Sequence, residues 1–337
     1  MKQGIWGLLA LVACAPRPAG LELPGVSVRA LEVAGRDTVL FAGSGGVWGC
    51  TFDAGATWFV DTLEFEGVRP EVRAVAVAGG AAVAIGVGSP GLFMRSENWR
   101  DWEVVYREDG EGVFWDSVDF WDEREGVAFG DPSAPDAGCA AVALTRDGGR
   151  SWGRVGCEAL PAALPGEAAF AASNTNVVAR GDRAWCITGG AASRVLMTED
   201  RGRSWTVVET PVVQGGAMTG MFSLAMWSEE AGLAIGGDWE AMEDCRANKV
   251  RTADGGKTWT LHQPGEGPGY RSCVQAVPGT NGQELWAVGI PGIDRSQDGG
   301  QTWTHLPDSS YLTLRFTPDG TTAWLAGRGR IAALPVR

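Results

Sequence analysis

A short phrase, Ser/Thr-x-Asp-x-Gly-x-x-Trp, occurs five times along the chain. Its aspartates are Asp53, Asp147, Asp200, Asp254 and Asp298. A shortened copy, with Asn98 in place of the aspartate, lies between the first two. These positions follow one another at intervals of 44 to 54 residues. Recurrence at such a nearly constant period predicts a repeat architecture in which each repeat is one supersecondary unit.

Each repeat carries the signals of four short strands. An apolar, β-branched run comes first, as at residues 72–77, and a second run ends in glycine, as at residues 82–86. A third run leads into the Asp-containing phrase, and a fourth follows its tryptophan. No helical periodicity interrupts this order. Four short strands in every repeat are typical of a β-propeller blade.

The repeated phrase has a structural explanation. A carboxylate can accept hydrogen bonds from the amides of a tight turn between the third and fourth strands. The glycine two residues later permits a positive φ, and the tryptophan can cover the gap between neighbouring sheets. We therefore predict that the five repeated aspartates stabilise turns and take no part in catalysis.

The number of blades depends on the two ends of the chain. Six turns indicate six blades, and three further strand-like runs follow at residues 311–317, 322–327 and 330–336. Residues 21–24 could supply the fourth strand, and this would remove the open edges of the ring. We predict an all-β, seven-bladed β-propeller of four-stranded antiparallel blades, closed by an N-terminal strand that completes the last blade. The alternative is six blades with a loose tail.

The N-terminus has the features of an export signal. Lys2 precedes a short apolar run, and residues 11–14, Leu-Val-Ala-Cys, match a bacterial lipoprotein box. We expect a signal peptide over residues 1–13, acylation of Cys14, a tether over residues 14–20 and one propeller domain over residues 21–337. The protein would then be a lipoprotein on the periplasmic side or the cell surface. An ordinary signal peptide is the alternative.

Charge and cysteine content restrict the remaining possibilities. The net charge of −13 argues against binding to nucleic acid or anionic lipid, so the lipid anchor would be the membrane contact. We expect a monomer. Removing Cys14 leaves six cysteines, an even number in an exported chain. Cys139 and Cys157 flank one predicted hairpin, and we expect them to form a disulfide. A bridge between Cys245 and Cys273 is a weaker alternative.

Several longer segments point to one family. They lie at residues 115–122, 126–132, 164–173, 188–195, 236–239 and 269–272. Together with the repeated phrase, known as the Asp box or BNR repeat, they resemble bacterial relatives of the photosystem II stability/assembly factor family. The resemblance covers nearly all of the mature chain. It implies an exported, seven-bladed propeller with a binding or assembly function.

Photosynthetic members of that family hold a reaction-centre subunit through an arginine-lined patch. This sequence is acidic and shows no arginine cluster, so we do not expect the same partner.

Few residues are suited to cofactor or metal chemistry. His262 and His305 are the two histidines of the sequence, and each follows an Asp-box tryptophan on a predicted outer strand. This argues against histidine-dependent triads and multi-histidine metal sites. The sequence also has no CxxC, no phosphate-binding glycine loop and no nucleophile elbow. We therefore expect no metal and no cofactor.

A ligand site is expected where the loops entering the first strands meet those joining the second and third strands, at the mouth of the central channel. Alignment of the repeats places nine charged or aromatic candidates there: Arg73, Trp115, Asp116, Asp131, Glu167, Arg194, Asp238, Tyr270 and Arg271. Such a ring could grip a peptide end, a sugar or a charged loop of a partner. Alternatively, these charges pair with one another and plug the channel.

Two functions follow from this ring. The first is a non-catalytic binding or assembly module, whose ligand the sequence does not identify. The second is a sialidase-like glycoside hydrolase, in which Arg73, Arg194 and Arg271 would bind substrate. Tyr270 with Glu167 would then supply the nucleophile and Asp131 the acid. The Arg-x-Pro signature of sialidases is absent, since Arg69 directly precedes Pro70.

Overall fold

The computed structural model describes residues 20–132, 138–306 and 310–336. The predicted signal peptide and Cys14 lie outside these residues, so the lipid anchor stays a prediction. The described chain is all-β, apart from two short 3-10 turns at Ser44–Gly46 and Cys157–Ala159. Within it, no helix has the length and hydropathy needed to span a bilayer.

The described strands form six antiparallel sheets. Blade 1 contains β1 (Leu21–Val33), β2 (Val39–Gly43), β3 (Val47–Thr51) and β4 (Phe59–Thr62), extended by β27 (Thr313–Phe316) and β28 (Thr322–Pro335). Blade 2 contains β5 (Val72–Ala78), β6 (Ala81–Gly86), β7 (Gly91–Ser96) and β8 (Glu103–Glu108). Blade 3 contains β9 (Trp115–Phe120), β10 (Gly126–Gly130), β11 (Ala141–Thr145) and β12 (Gly153–Arg154).

The other three blades follow the same order. Blade 4 contains β14 (Val177–Arg180), β15 (Arg183–Ile187), β17 (Arg194–Thr198) and β18 (Thr206–Glu209). Blade 5 contains β19 (Thr219–Met226), β20 (Gly232–Asp238), β21 (Lys249–Thr252) and β22 (Thr260–Leu261), extended by the short strands β13 (Glu167–Ala168) and β16 (Gly189–Gly190). Blade 6 contains β23 (Cys273–Ala276), β24 (Leu285–Gly289), β25 (Gly292–Ser296) and β26 (Thr304–Leu306).

The prediction of seven blades is wrong, because the described strands form six hydrogen-bonded sheets and the chain is a six-bladed propeller. The cause is the long strand β1. Its first half pairs with β28, where Leu21 faces Ile331, and its second half pairs with β2, where Val33 faces Val39. The strands expected to form a separate last blade are therefore continuous with the sheet of blade 1. This pairing joins the two ends of the propeller.

The repeat turns share one hydrogen-bond pattern, seen clearly at Asp298. Its carboxylate accepts hydrogen bonds from the Thr302 amide at 2.9 Å and the Thr302 hydroxyl at 2.6 Å. The Ser296 hydroxyl donates to the same carboxylate and accepts from the Gly300 amide. Gly300 has a φ of +84°, which a residue with a Cβ atom adopts with difficulty. Three residues later, the Trp303 indole donates to the Gly300 carbonyl at 3.0 Å.

Aromatic side chains fill the spaces between blades. Trp115 is fully buried between blades 2 and 3, with its ring 4.9 Å from that of Phe93. Trp185 is equally buried, and its indole donates to the Gly255 carbonyl at 2.8 Å. Each such indole buries a large apolar area, so these seams contribute much of the stability of the ring.

The cysteines fall into two groups. Cys139 and Cys157 form a disulfide that spans the β11–β12 hairpin, with their Cα atoms 5.5 Å apart. Cys245 and Cys273 are free thiols, so the weaker alternative bridge is not present. Cys186 is also free and fully buried, and burial raises the pKa of its thiol.

Candidate functional site

Four first strands carry a β-bulge at the same end of the propeller. In blade 1 the extra residue is Arg29, in blade 2 Arg73, in blade 3 Asp116 and in blade 5 Phe222. A bulge turns a side chain away from the regular alternation of the strand and is frequent beside binding sites. The four bulges therefore gather two guanidinium groups, a carboxylate and an aromatic ring at one end of the inner strands.

Three of these bulged residues, Arg29, Arg73 and Phe222, line a cavity of about 330 Å³ together with Asp131. We call it the mouth cavity. Three aromatic rings form one wall. The rings of Phe170 and Phe222 stack at 4.0 Å, and Tyr270 meets Phe222 edge-on at 4.8 Å. Such a wall offers a flat apolar surface to a ligand.

The rim of the mouth cavity is apolar and exposed. Trp239 and Met218 line the cavity, and their exposed fractions are 41% and 37%. The Trp239 amide donates to the Met218 carbonyl at 3.1 Å, which holds the two residues side by side. Large apolar residues beside a cavity favour contact with a ligand or a partner.

Contrary to the expectation that this chain has no arginine cluster, strands distant in sequence bring arginines together at this mouth. Burial lowers the pKa of Arg29, and the positive charges of Arg73 and Arg328 lower it further. Arg29 donates to the Ala172 carbonyl at 3.2 Å. Arg73 pairs with Glu71 at 3.3 Å, and both side chains are about one-third exposed, so this pair is weak. The arrangement favours an anionic group.

Two carboxylates complete the site. Asp116 is fully buried, and neither of its oxygens accepts a well-aligned hydrogen bond from a described residue. Burial, followed by the nearby Asp131, raises the pKa of Asp116 well above its usual range. Burial also raises the pKa of Asp131 to about 6, against the opposing effect of the Ala169 amide, which donates at 2.5 Å. Both shifts favour the neutral acids and so reduce the negative charge that opposes the arginines.

The channel does not run through the propeller, because residues 172–175 cross it. We call this segment the plug. The Asn174 carboxamide accepts from the Val118 amide at 2.9 Å and donates to the Val75 carbonyl at 2.8 Å. On the other side, the Ser173 hydroxyl donates to the Ser272 carbonyl at 2.7 Å. These bonds join the plug to three blades and make the mouth cavity blind.

Three of the nine sequence-predicted mouth residues form ion pairs away from the mouth cavity. Glu167 and Arg194 pair in the interior, with side-chain exposures of 2% and 8%. Arg271 pairs with Asp294 at 2.6 Å, and Asp294 also contacts His305. Glu167 and Arg194 thus pair with each other, whereas Arg271 pairs with a residue outside the nine.

The other six divide into two groups. Arg73, Asp131 and Tyr270 line the mouth cavity. Asp116 lies beneath it, Trp115 belongs to the core between blades 2 and 3, and Asp238 is half-buried beside Trp239, where it accepts from the Glu240 amide at 2.8 Å.

The sialidase alternative needs three arginines around one substrate. Arg73 lines the mouth cavity, whereas Arg194 and Arg271 use their guanidinium groups to neutralise Glu167 and Asp294. The structure therefore places the three arginines in three different environments. Within the described residues, no group of three histidine, cysteine or acidic side chains is arranged to hold a metal.

The sequence analysis missed Arg29 and Arg328. Arg29 could have been found, because it lies in the triplet Val-Arg-Ala that also surrounds Arg73, and both triplets form the same bulge. Arg328 had no comparable signal, since its position depends on the pairing of β28 with β1.

Comparison with known proteins defines the fold. No family model and no curated protein sequence matches the chain. Among solved structures, it is similar to YCF48 bound to D1 peptide, with a TM-score of 0.67, 14% identity and coverage of 95% of this chain and 97% of that one. YCF48 from Cyanidioschyzon merolae gives a TM-score of 0.62, 14% identity and coverage of 94% and 98%.

A hydrolase is similar to a comparable degree. The GH74 xyloglucanase from Xanthomonas campestris gives a TM-score of 0.64 and 19% identity, and the match covers 94% of this chain. The chain spans about half of that enzyme, 53% of its length. At such low identities these likenesses show a shared β-propeller fold.

Proposed function

We propose that this protein is an exported, lipid-anchored, non-catalytic β-propeller that binds a segment of a partner protein at the mouth cavity. In this role it resembles the photosystem II assembly factors, as a relative outside photosynthesis. The ligand segment carries a carboxylate next to an apolar or aromatic side chain. A C-terminal peptide end has this chemistry.

The convergence of Arg29 and Arg73 on an aromatic-walled blind cavity is the observation that carries the proposal. A guanidinium group binds a carboxylate through two parallel hydrogen bonds, and burial strengthens them. The rings of Phe170, Phe222 and Tyr270 would contact the apolar side chain. The likeness to YCF48 bound to D1 peptide adds that a similar propeller holds a peptide.

A peptide-binding experiment tests this function. A fluorescein-labelled octapeptide ending in Phe-Ala with a free carboxylate is titrated with the protein, and the same peptide with a C-terminal amide serves as its control. We expect Arg29→Gln and Arg73→Gln each to weaken binding of the free acid about tenfold, since a charged hydrogen bond contributes about 1.5–3 kcal/mol. Arg107→Gln, an exposed arginine on β8, should bind like the wild type.

Two outcomes would contradict the proposal. Equal affinity for the acid and amide peptides would show that the arginines do not bind the peptide carboxylate. Turnover of a fluorogenic sialoside or glycoside that is lost in Tyr270→Phe would favour the hydrolase.

The proposed anchor is tested separately. Wild-type protein should partition into the detergent phase and Cys14→Ser into the aqueous phase. A Cys14→Ser variant that stays in the detergent phase would show that another feature holds the protein to the membrane.

A further inference from the structure

A second and larger cavity of about 690 Å³ lies on the opposite side of the plug. Asn174 and Thr175 of the plug line it, and the far ends of the inner strands form its walls. Val118, Leu224 and Met226 make parts of these walls apolar. The polar groups make up the larger part of its accessible lining, so a cavity of this size can hold a small polar or charged ligand.

Two carboxylates from different strands face this second cavity. Glu32 lies near the end of β1 and Asp119 on β9. They are close enough for the charge of Asp119 to raise the pKa of Glu32. Asp119 accepts one hydrogen bond from the Phe120 amide and one from the Ala179 amide, each at 2.8 Å. A carboxylate has about four acceptor positions, so Asp119 retains capacity for a ligand.

The guanidinium group of Arg315 is directed mainly at backbone carbonyls. Its Nη1 donates to the Leu314 carbonyl and its Nη2 to the Asn174 carbonyl, both at 2.9 Å. Its Nε lies 3.9 Å from Glu32 Oε2, which is beyond hydrogen-bond distance. Arg180, the other arginine that lines the cavity, is exposed and directs Nη1 towards the Met226 carbonyl at 3.5 Å. Acceptor capacity in the cavity therefore exceeds the donors directed at it.

The pKa values of the two carboxyl groups are consistent with this excess of acceptors. Burial raises the pKa of Glu32 to about 7, although Arg315 opposes the shift. Burial likewise raises the pKa of Asp119 to about 6, against the Ala179 and Phe120 amides and Arg315. A positive charge brought into the cavity would favour the ionised forms.

We propose that the second cavity binds a primary ammonium or guanidinium group carried on an aliphatic chain. Glu32 and Asp119 accept hydrogen bonds from the cationic head, and the half-buried side chains of Val77 and Val178 cover the aliphatic stem. A free amine and a lysine or arginine side chain of a partner share this chemistry. The site is separate from the mouth cavity and does not depend on the function proposed for it.

Isothermal titration calorimetry with cadaverine tests this site, with 1,5-pentanediol as an uncharged ligand of similar length. We expect the wild-type protein to bind the diamine and not the diol. Because binding lowers the pKa of both carboxylates, it should release protons near pH 6.5, seen as a difference in heat between two buffers of unlike ionisation enthalpy. A blocked Gly-Gly-Lys-Gly-Gly peptide distinguishes the sources: its binding favours a partner side chain, and binding of cadaverine alone favours a free amine.

Substitutions locate the bound cation. Glu32→Gln and Asp119→Asn should each weaken cadaverine binding about tenfold or more, since each removes one charged acceptor. Glu103→Gln, an exposed carboxylate on the outer strand β8, is the matched control and should bind like the wild type. Failure of the wild type to bind cadaverine, binding without proton release, or wild-type affinity in both cavity variants would overturn the proposal.

Discussion

Glu167 and Arg194 form a two-point ion pair in the interior, 27 residues apart in the chain. Arg194 Nε donates to Glu167 Oε1 at 3.0 Å, and Arg194 Nη2 donates to the second carboxylate oxygen. The Thr188 hydroxyl donates to the first of these oxygens at 2.7 Å, and the Leu164 amide to the second at 3.0 Å. The pair is thus fully hydrogen-bonded, which is the condition under which buried charges are tolerated.

Removing one partner of this pair should strongly destabilise the protein. We expect Arg194→Met to lower the free energy of unfolding by about 3–5 kcal/mol, because it leaves the Glu167 charge buried and unpaired. The double variant Glu167→Met, Arg194→Met should recover much of this loss. Urea denaturation of the two variants measures both effects. A double variant no more stable than Arg194→Met would show that the pair contributes through packing.

The repeat turns should stabilise the fold without affecting ligand binding. We expect Asp298→Ala to cost about 1–2 kcal/mol, since the Thr302 amide and hydroxyl lose their acceptor. The Thr302 hydroxyl bond is the main factor that lowers the pKa of Asp298 to about 2. The contribution is therefore present above the ordinary aspartate pKa and is lost as pH falls towards 2. Thermal unfolding at pH 7 and pH 3 measures the difference in stability between the wild type and Asp298→Ala. We expect this difference to be smaller at pH 3, and an equal difference at both pH values would contradict the prediction.

The disulfide should stabilise blade 3. It closes a loop with a sequence separation of 18 residues, for which the chain-entropy model gives about 3 kcal/mol. We expect dithiothreitol to lower the melting temperature of the wild type and to leave the double variant Cys139→Ser, Cys157→Ser unchanged. A similar decrease in melting temperature in both proteins would show that dithiothreitol does not act through this disulfide.

Asp116 should make stability depend on pH in the opposite direction to Asp298. Burial raises its pKa in the folded state, so the folded chain holds a proton that the unfolded chain loses above the ordinary pKa. The wild type therefore loses stability as pH rises from about 4 towards neutrality. Asp116→Asn does not titrate, and its stability relative to the wild type should increase over that range. Denaturant midpoints of both proteins at pH 4 and pH 7 measure this change. The same difference in midpoint at the two pH values would contradict a raised pKa of Asp116.

The plug should be a structural element of the ring. We expect Asn174→Ala to lower the free energy of unfolding by about 2–4 kcal/mol, because it leaves the Val118 amide and the Val75 carbonyl without their partner. Glu111→Ala, at an exposed position between β8 and β9, is a control expected to change stability little. A small effect of Asn174→Ala would indicate that water replaces the amide group.

Local sequence patterns predicted the blades because each blade is built from local contacts. The repeated aspartate, glycine and tryptophan define one hairpin, and the glycine-ended runs define the second strand, so the all-β architecture follows from residues close together in sequence. The blade count was wrong because it depends on Leu21 facing Ile331, a contact between the two ends of the chain. No local pattern indicates whether β1 stays continuous through both pairings.

The mouth cavity was predicted in part for a similar reason. Alignment of the repeats predicted Arg73 and Asp131 at the mouth, because every blade has a loop that enters its first strand and a loop that joins its second and third strands. The pairing of Arg271 with Asp294 and of Arg194 with Glu167 could not be anticipated, since each guanidinium group had several acceptors within reach. The plug was missed because residues 172–175 belong to no strand and, after Ala172, carry small polar side chains typical of a loop.

The pairing of β1 with β28 determines the order in which this protein can fold. The N-terminal half of β1 has no strand partner until β28 has been made. Contacts between such distant residues form slowly, because the loss of loop entropy precedes the gain from pairing. During that interval the leading half of β1 is an unpaired edge, available to a chaperone or to a second molecule. Pairing of β28 with β1 removes this edge.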